Sequence, residues 1–95
     1  MQCSSITFSA HALQRMFKRA LTVADVTGIV KTGLVIEDYP TDFPYPSCLL
    51  LGTVRANPVH VVAAQDSANQ ACIVVTAYVP DTARWSPDFK TRKVP

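Results

Sequence analysis

At Gly33 the hydrophobic period of this chain changes from about 3.6 to about 2, and that change decides its class. Before it, Leu13, Met16, Phe17 and Ala20 recur at helical spacing, and Val26, Ile29 and Val30 do so again after a polar break. After it come Leu34 to Asp38 and three longer apolar runs, Cys48 to Val54, Val59 to Gln65 and Ala71 to Val79. A helical stripe must be buried against another layer, and half-buried strands supply one. The order ααββββ therefore predicts an α+β fold: two N-terminal helices packed on a curved, mainly antiparallel four-stranded sheet.

Local punctuation sets the boundaries. The opening helix starts at Ser9, and Thr22 caps the second, with Asp25 three residues on as a capping-box variant. Gly33 ends that helix as a C′ glycine. Asp38 to Pro46 is a loop bearing three prolines and three aromatics. The connections Arg55-Ala-Asn57-Pro58 and Asp66 to Gln70 are short and rich in turn formers, which predicts an antiparallel meander. Residues 80–95 read as an irregular basic tail anchored by Trp85. With 95 residues and no repeat or linker, residues 1–95 form a single domain.

Composition narrows the function classes. The net charge of +2 is modest, but the positive residues sit at the two ends and the acidic ones in the middle. No apolar run approaches the roughly 20 residues of a membrane span, and no signal-peptide apolar region is present. Three cysteines, Cys3, Cys48 and Cys72, are an odd number without a C-x-x-C pair. That argues against a disulfide framework and for a reducing, cytoplasmic setting. A zinc site from Cys48, Cys72 and His60 would lack a close-spaced ligand pair, so no metal is expected. Without a Gly-rich phosphate loop or paired carboxylates, a small-molecule enzyme has no support.

Two groups of polar residues stand out. His11, Arg15 and Lys18 or Arg19 share one side of the first helix, and no Asp or Glu precedes Asp25. That face suits a phosphate-rich partner, although a solvated basic face on a surface helix gives the same pattern. Closing each hairpin symmetrically about its turn pairs Gln65 with Ala71 and Val54 with Val59. That register aligns Thr53, His60 and Thr76 across the sheet, with Tyr78 diagonal to His60. The face not covered by helices would then carry a polar stripe, the usual setting of a site. His60 is flanked by Val59, Val61 and Val62, and a lone histidine in such a strand is more often a hydrogen-bonded structural residue than a catalyst.

The segments F-S-x-H-A-L-x-R-M-x-x-R, T-x-x-D-V at 22–26, G-x-V-I-E-D-Y-P at 33–40 and P-Y-P-S at 44–47 carry a family resemblance. It continues through P-x-H-V-V-x-A at 58–64 and V-T-x-Y-x-P-D-x-x-R-W-x-P-D-F at 75–89. From residue 8 to 93 the chain resembles the bacterial family known as domain of unknown function 4258 (DUF4258). That family is considered similar to the RelE, MqsR and BrnT toxins, small helix-plus-sheet proteins that cleave RNA without a metal. The resemblance thus implies a RelE-like fold and a type II toxin silenced by a cognate antitoxin, a zinc-finger protein of the MqsA type in many gene neighbourhoods. Its recurrent polar positions fall here on His11, Arg15, Arg19, His60, Tyr78, Arg84 and Trp85.

On this basis the expected activity is metal-independent endoribonuclease chemistry, without a cofactor. A base must take the 2′-hydroxyl proton, an acid must serve the leaving 5′-oxygen, and cations must hold the phosphorane charge. Histidine titrates near working pH and arginine grips phosphate in two places. His60 or His11 is therefore the candidate for proton transfer, with Tyr78 as a second donor. Arg15, Arg19 and Arg84 are the candidate phosphate ligands, and Trp85 or Tyr45 could stack a base. The alternative is a non-catalytic protein- or nucleic-acid-binding module, whose proline-rich loop 39–46 and first strand edge would receive a partner chain. An exposed sheet face or edge is also compatible with a homodimer.

Overall fold

The computed structural model describes residues 1–94. Pro95, the last residue of the expected tail, lies outside the described residues. The chain runs β1 (Ser5–Phe8), α1 (Ala10–Lys18), α2 (Val23–Thr32), β2 (Leu34–Tyr39), β3 (Ser47–Val54), β4 (Asn57–Asp66) and β5 (Ala71–Tyr78). The strands lie in the order β1-β5-β4-β3-β2, β1 running parallel to β5 and the other neighbours antiparallel.

The expected four-stranded antiparallel sheet is thereby corrected to a mixed sheet of five strands. The added strand precedes the helices. Ser5-Ile-Thr-Phe8 alternates at period 2, and Ile6 and Phe8 pack against the core. A run of four residues is short enough to be overlooked beside a strong helical pattern. Ser9 then turns the chain into α1: its hydroxyl accepts the Ala12 N–H at 3.0 Å and donates to the Val75 carbonyl at 2.9 Å.

Both helices pack on the same face, α1 on β5 and α2 on β3 and β4. Helix α1 is rotated from the expected stripe. Ala12 and Met16 are buried, whereas Leu13 is 45% and Phe17 88% exposed. Helix α2 carries the full capping box between Thr22 and Asp25. Gly33 ends it in extended backbone, not the left-handed conformation. Glycine is needed there for room, because a Cβ would stand 2.5 Å from the Ile29 carbonyl oxygen. At Gly52 a Cβ would come within 2.4 Å of the Ile29 side chain, so α2 rests directly on β3.

The hairpin registers differ from the symmetric ones. Arg55 and Ala56 both take positive φ, 48° and 67°, and make a two-residue turn by themselves. Asn57 and Pro58 therefore belong to β4, opposite Val54 and Thr53. A bulge between Val62 and Ala63 displaces the other hairpin. His60 ends up opposite Leu51 on one side and Tyr78 on the other, and the Thr53–His60–Thr76 stripe does not form.

The cysteines also depart from expectation. Cys3 and Cys72 form a disulfide, and Cys48 is free and buried. An odd count conceals one pair plus one small core hydrophobe, and it is β1, beside β5, that brings Cys3 to Cys72. Among the described residues, no helix is long and apolar enough to cross a membrane. The disulfide closes most of the chain into one loop, which constrains the unfolded state. Cys3→Ser, or reduction of the native protein, is expected to lower stability by about 4 kcal/mol on the loop-closure model. Urea denaturation with and without reductant measures this, and equal midpoints would refute it.

Candidate anion-binding cleft

The sheet face opposite the helices is closed in part by residues 80–94, a strap that crosses His60. Two backbone bonds shape this strap as a small hairpin: Ser86 N–H to the Thr91 carbonyl and Lys93 N–H to the Arg84 carbonyl, both 2.8 Å. Trp85 and Arg92 bridge within it. The Trp85 indole, 3% exposed, meets the His60 ring edge-on with centroids 4.4 Å apart.

His60 is fully buried, and both ring nitrogens are engaged. Nε2 lies 2.8 Å from the Phe89 carbonyl oxygen, and Nδ1 lies 3.2 Å from Tyr78 Oη. A carbonyl only accepts, so Nε2 carries the hydrogen and Nδ1 of the neutral ring accepts from the tyrosine hydroxyl. Burial pushes the imidazole below its ordinary pKa, as does Arg92, while the Phe89 carbonyl and Glu37 act in the opposite sense. Burial likewise raises the Tyr78 phenol.

The far edge of the strap is fastened to β2. Arg92 Nε and Nη2 reach the Glu37 carboxylate at 3.1 and 3.2 Å, and the guanidinium lies 4.7 Å from the Trp85 ring centroid. Tyr39 Oη donates to Glu37 at 2.5 Å. Burial raises the Glu37 carboxyl, but the Tyr39 and Arg92 hydrogen bonds and the Arg92 charge outweigh it and hold the group below its usual range.

Between the strap and α1 opens a cleft of about 400 Å³. Arg15 of α1 and Arg19 at its C-terminal cap line it on one side, Tyr78 at the end of β5 and Val79 just beyond on another, and Asp81, Arg84, Trp85 and Arg92 from the strap. Arg15 and Arg19 sit one helical turn apart, which puts both guanidiniums on the same side. Among the described residues, Arg92 has a carboxylate partner in Glu37, while Arg15, Arg19 and Arg84 have none. The Asp81 carboxylate caps its own turn by accepting the Ala83 N–H at 2.9 Å. The cleft is therefore positive, with one hydroxyl available at its wall.

Five of the seven residues singled out from sequence, Arg15, Arg19, Tyr78, Arg84 and Trp85, line this one cleft. His60 stands behind it under the strap, paired with Tyr78. His11 is exposed on α1 and does not line it. Trp85 is too buried to stack a base, and Tyr45 borders a separate apolar hollow with Phe43 and Pro44. Cys72 is bound in the disulfide and is lost to the metal set considered above. Sequence reasoning missed Arg92 and Glu37 as a fastening. The signal was Trp85 and Arg92 flanking S-P-D-F-K-T, a turn-rich stretch that folds the two together.

A family model described as a domain of unknown function, DUF4258, matches residues 8–79. The matched stretch contains Arg15, Arg19, His60 and Tyr78 but stops short of the strap, although the motifs noted above extend further. Neither curated proteins nor solved structures gave a match.

The buried neutral imidazole makes stability depend on pH. The unfolded chain takes up a proton near 6.5, whereas the folded state resists until lower pH. Stability is therefore fully present above pH 6.5 and falls as pH drops through 6.5 toward the depressed folded value. Urea denaturation across this range should show the loss in the native protein and not in His60→Gln. That substitution should itself cost about 1–3 kcal/mol at neutral pH, because buried partners are left unpaired.

Proposed function

The chain belongs to the DUF4258 family, and on that premise we propose that it binds RNA, gripping the phosphodiester backbone in the arginine cleft. One observation carries this reading: three guanidiniums without carboxylate partners among the described residues converge on one hollow. Like charges are gathered there at an electrostatic cost that a polyanion relieves. Arginine forks match phosphate oxygens in geometry as well as charge. Trp85 is sealed between the strap and the sheet, and the half-buried Tyr78 is engaged by His60, so the guanidiniums are the main groups the cleft offers a ligand. Binding is therefore to the backbone and tolerant of sequence.

A second reading, metal-independent endoribonuclease, is favoured by the Tyr78–His60 hydrogen bond at the cleft wall. In RNA cleavage the 2′-oxygen attacks phosphorus, the P–O5′ bond breaks, and the arginines hold the charge of the phosphorane. Tyr78 is the group placed to exchange a proton with the reacting chain, and His60 orients its hydroxyl. The buried imidazole would act through Tyr78 and not by direct contact. In this reading the chain is the toxin of a type II pair, and its antitoxin silences it by covering the cleft.

Fluorescence anisotropy with a labelled oligouridylate in EDTA tests the first reading. Three phosphate contacts to a single strand predict a slope of log K against log salt of about −2, reduced by about 0.7 for each of Arg15→Ala and Arg84→Ala. Absence of binding at low salt would refute it. For the second, cleavage of the same RNA should fall by about 10²-fold or more in Tyr78→Phe while binding is retained. Intact RNA after incubation with native protein, free or on ribosomes, would leave binding alone.

A further inference from the structure

Beyond the cleft, the strap carries a second hollow of about 270 Å³, lined by Ala83, Arg84, Arg92, Lys93 and Val94. It shares Arg84 and Arg92 with the first. The two hollows are thus neighbours with two guanidiniums in common. No carboxylate lines the second. We infer that this hollow is a second subsite for the next phosphate of the same nucleic-acid strand, which makes the ligand an extended single strand and not a mononucleotide. The inference rests on the phosphate-binding reading of the first cleft.

The geometry supports a preformed site. Lys93 and Arg84 are held opposite one another by the bond from Lys93 N–H to the Arg84 carbonyl at 2.8 Å. Arg92 is fixed at its place by Glu37 on one side and the Trp85 ring on the other. Arg84 is left to serve both hollows, and Lys93 adds a charge that the first cleft lacks. A single phosphate would be satisfied by Arg15, Arg19 and Arg84. Only consecutive phosphates can use Lys93 as well. Ala83 and the exposed Val94 offer apolar surface to the sugar between them. Arg84, Arg92 and Lys93 are the charged groups that the second hollow offers, so the track follows the backbone.

Anisotropy with labelled diuridylate (UpU, a single phosphodiester) and with a uridylate of twelve nucleotides separates the two subsites. The longer strand should bind more tightly. Lys93→Ala should remove most of that gain, lower the salt slope for the longer strand by about 0.7, and leave the shorter strand unchanged. Lys90→Ala is the control, a lysine of the same strap that lines neither hollow. A gain that survives Lys93→Ala reflects the number of binding registers alone and overturns the inference. Equal weakening of both lengths by Lys93→Ala, matched by Lys90→Ala, reduces the effect to general charge and also overturns it. In both of those cases binding of the short strand that is lost in Arg15→Ala keeps the first cleft intact, whereas no binding of either strand removes the RNA reading itself.

Discussion

Burial of the His60 ring is the contact on which the second face of this protein depends. The helices cover one side of the sheet, and nothing regular covers the other. A fifteen-residue strap without helix or strand must dock there, and its conformational entropy opposes docking at every residue. His60 meets that opposition with three kinds of contact at one point: a hydrogen bond to the Phe89 carbonyl, one from Tyr78, and the edge-on packing of Trp85. The Arg92–Glu37 pair at the rim is solvent-accessible and adds less. Since half of the cleft hangs from the strap, the shape of the cleft is set by a residue outside it.

The arginines divide into two kinds by what they touch. Arg55 reaches Asp25 and the Ala20 carbonyl, tying the β3–β4 turn to the start of α2, and Arg92 ties the strap to β2. Among the described residues, the guanidiniums of Arg15, Arg19 and Arg84 have no carboxylate partner. Structural guanidiniums here have found carboxylates from distant parts of the chain, and those of the cleft have been kept away from them. Asp81 lies at the cleft, yet its carboxylate is spent on its own turn. A positive hollow persists in a chain whose net charge is only +2 because the acidic groups are used elsewhere.

The strong periodic signals were legible in the sequence: both helices, the capping box of α2 and the four antiparallel strands fall where the pattern puts them, to within a residue or two. What the pattern hid was set by interactions that leave little trace in it. The strand Ser5–Phe8 is short, and its partner lies at the other end of the chain. The turn at Arg55-Ala56 uses no glycine or asparagine, so the turn formers Asn57 and Pro58 drew the hairpin two residues too far along. The β3–β4 slip set Leu51, not Thr53, beside His60, and the register and bulge of the β4–β5 pairing set Tyr78, not Thr76, on its other side. Arg15, Arg19 and Arg84 could be chosen by residue type and by resemblance, but the burial of Trp85 and His60 follows from the strap, whose docking no periodicity announces.

The parallel pairing of β1 with β5 carries a consequence for how the chain is assembled. Ser4 meets Gln70, and Ser9 meets Val75, each contact spanning 66 positions. During synthesis the first strand emerges long before its partner exists, and its loop-closure entropy is met only once the meander is made. The strand β1 therefore cannot take its place in the sheet until β5 exists, although it is made well before it. Without β1 the outer edge of β5 would be an open template, and the native chain covers it with a segment made some sixty residues earlier.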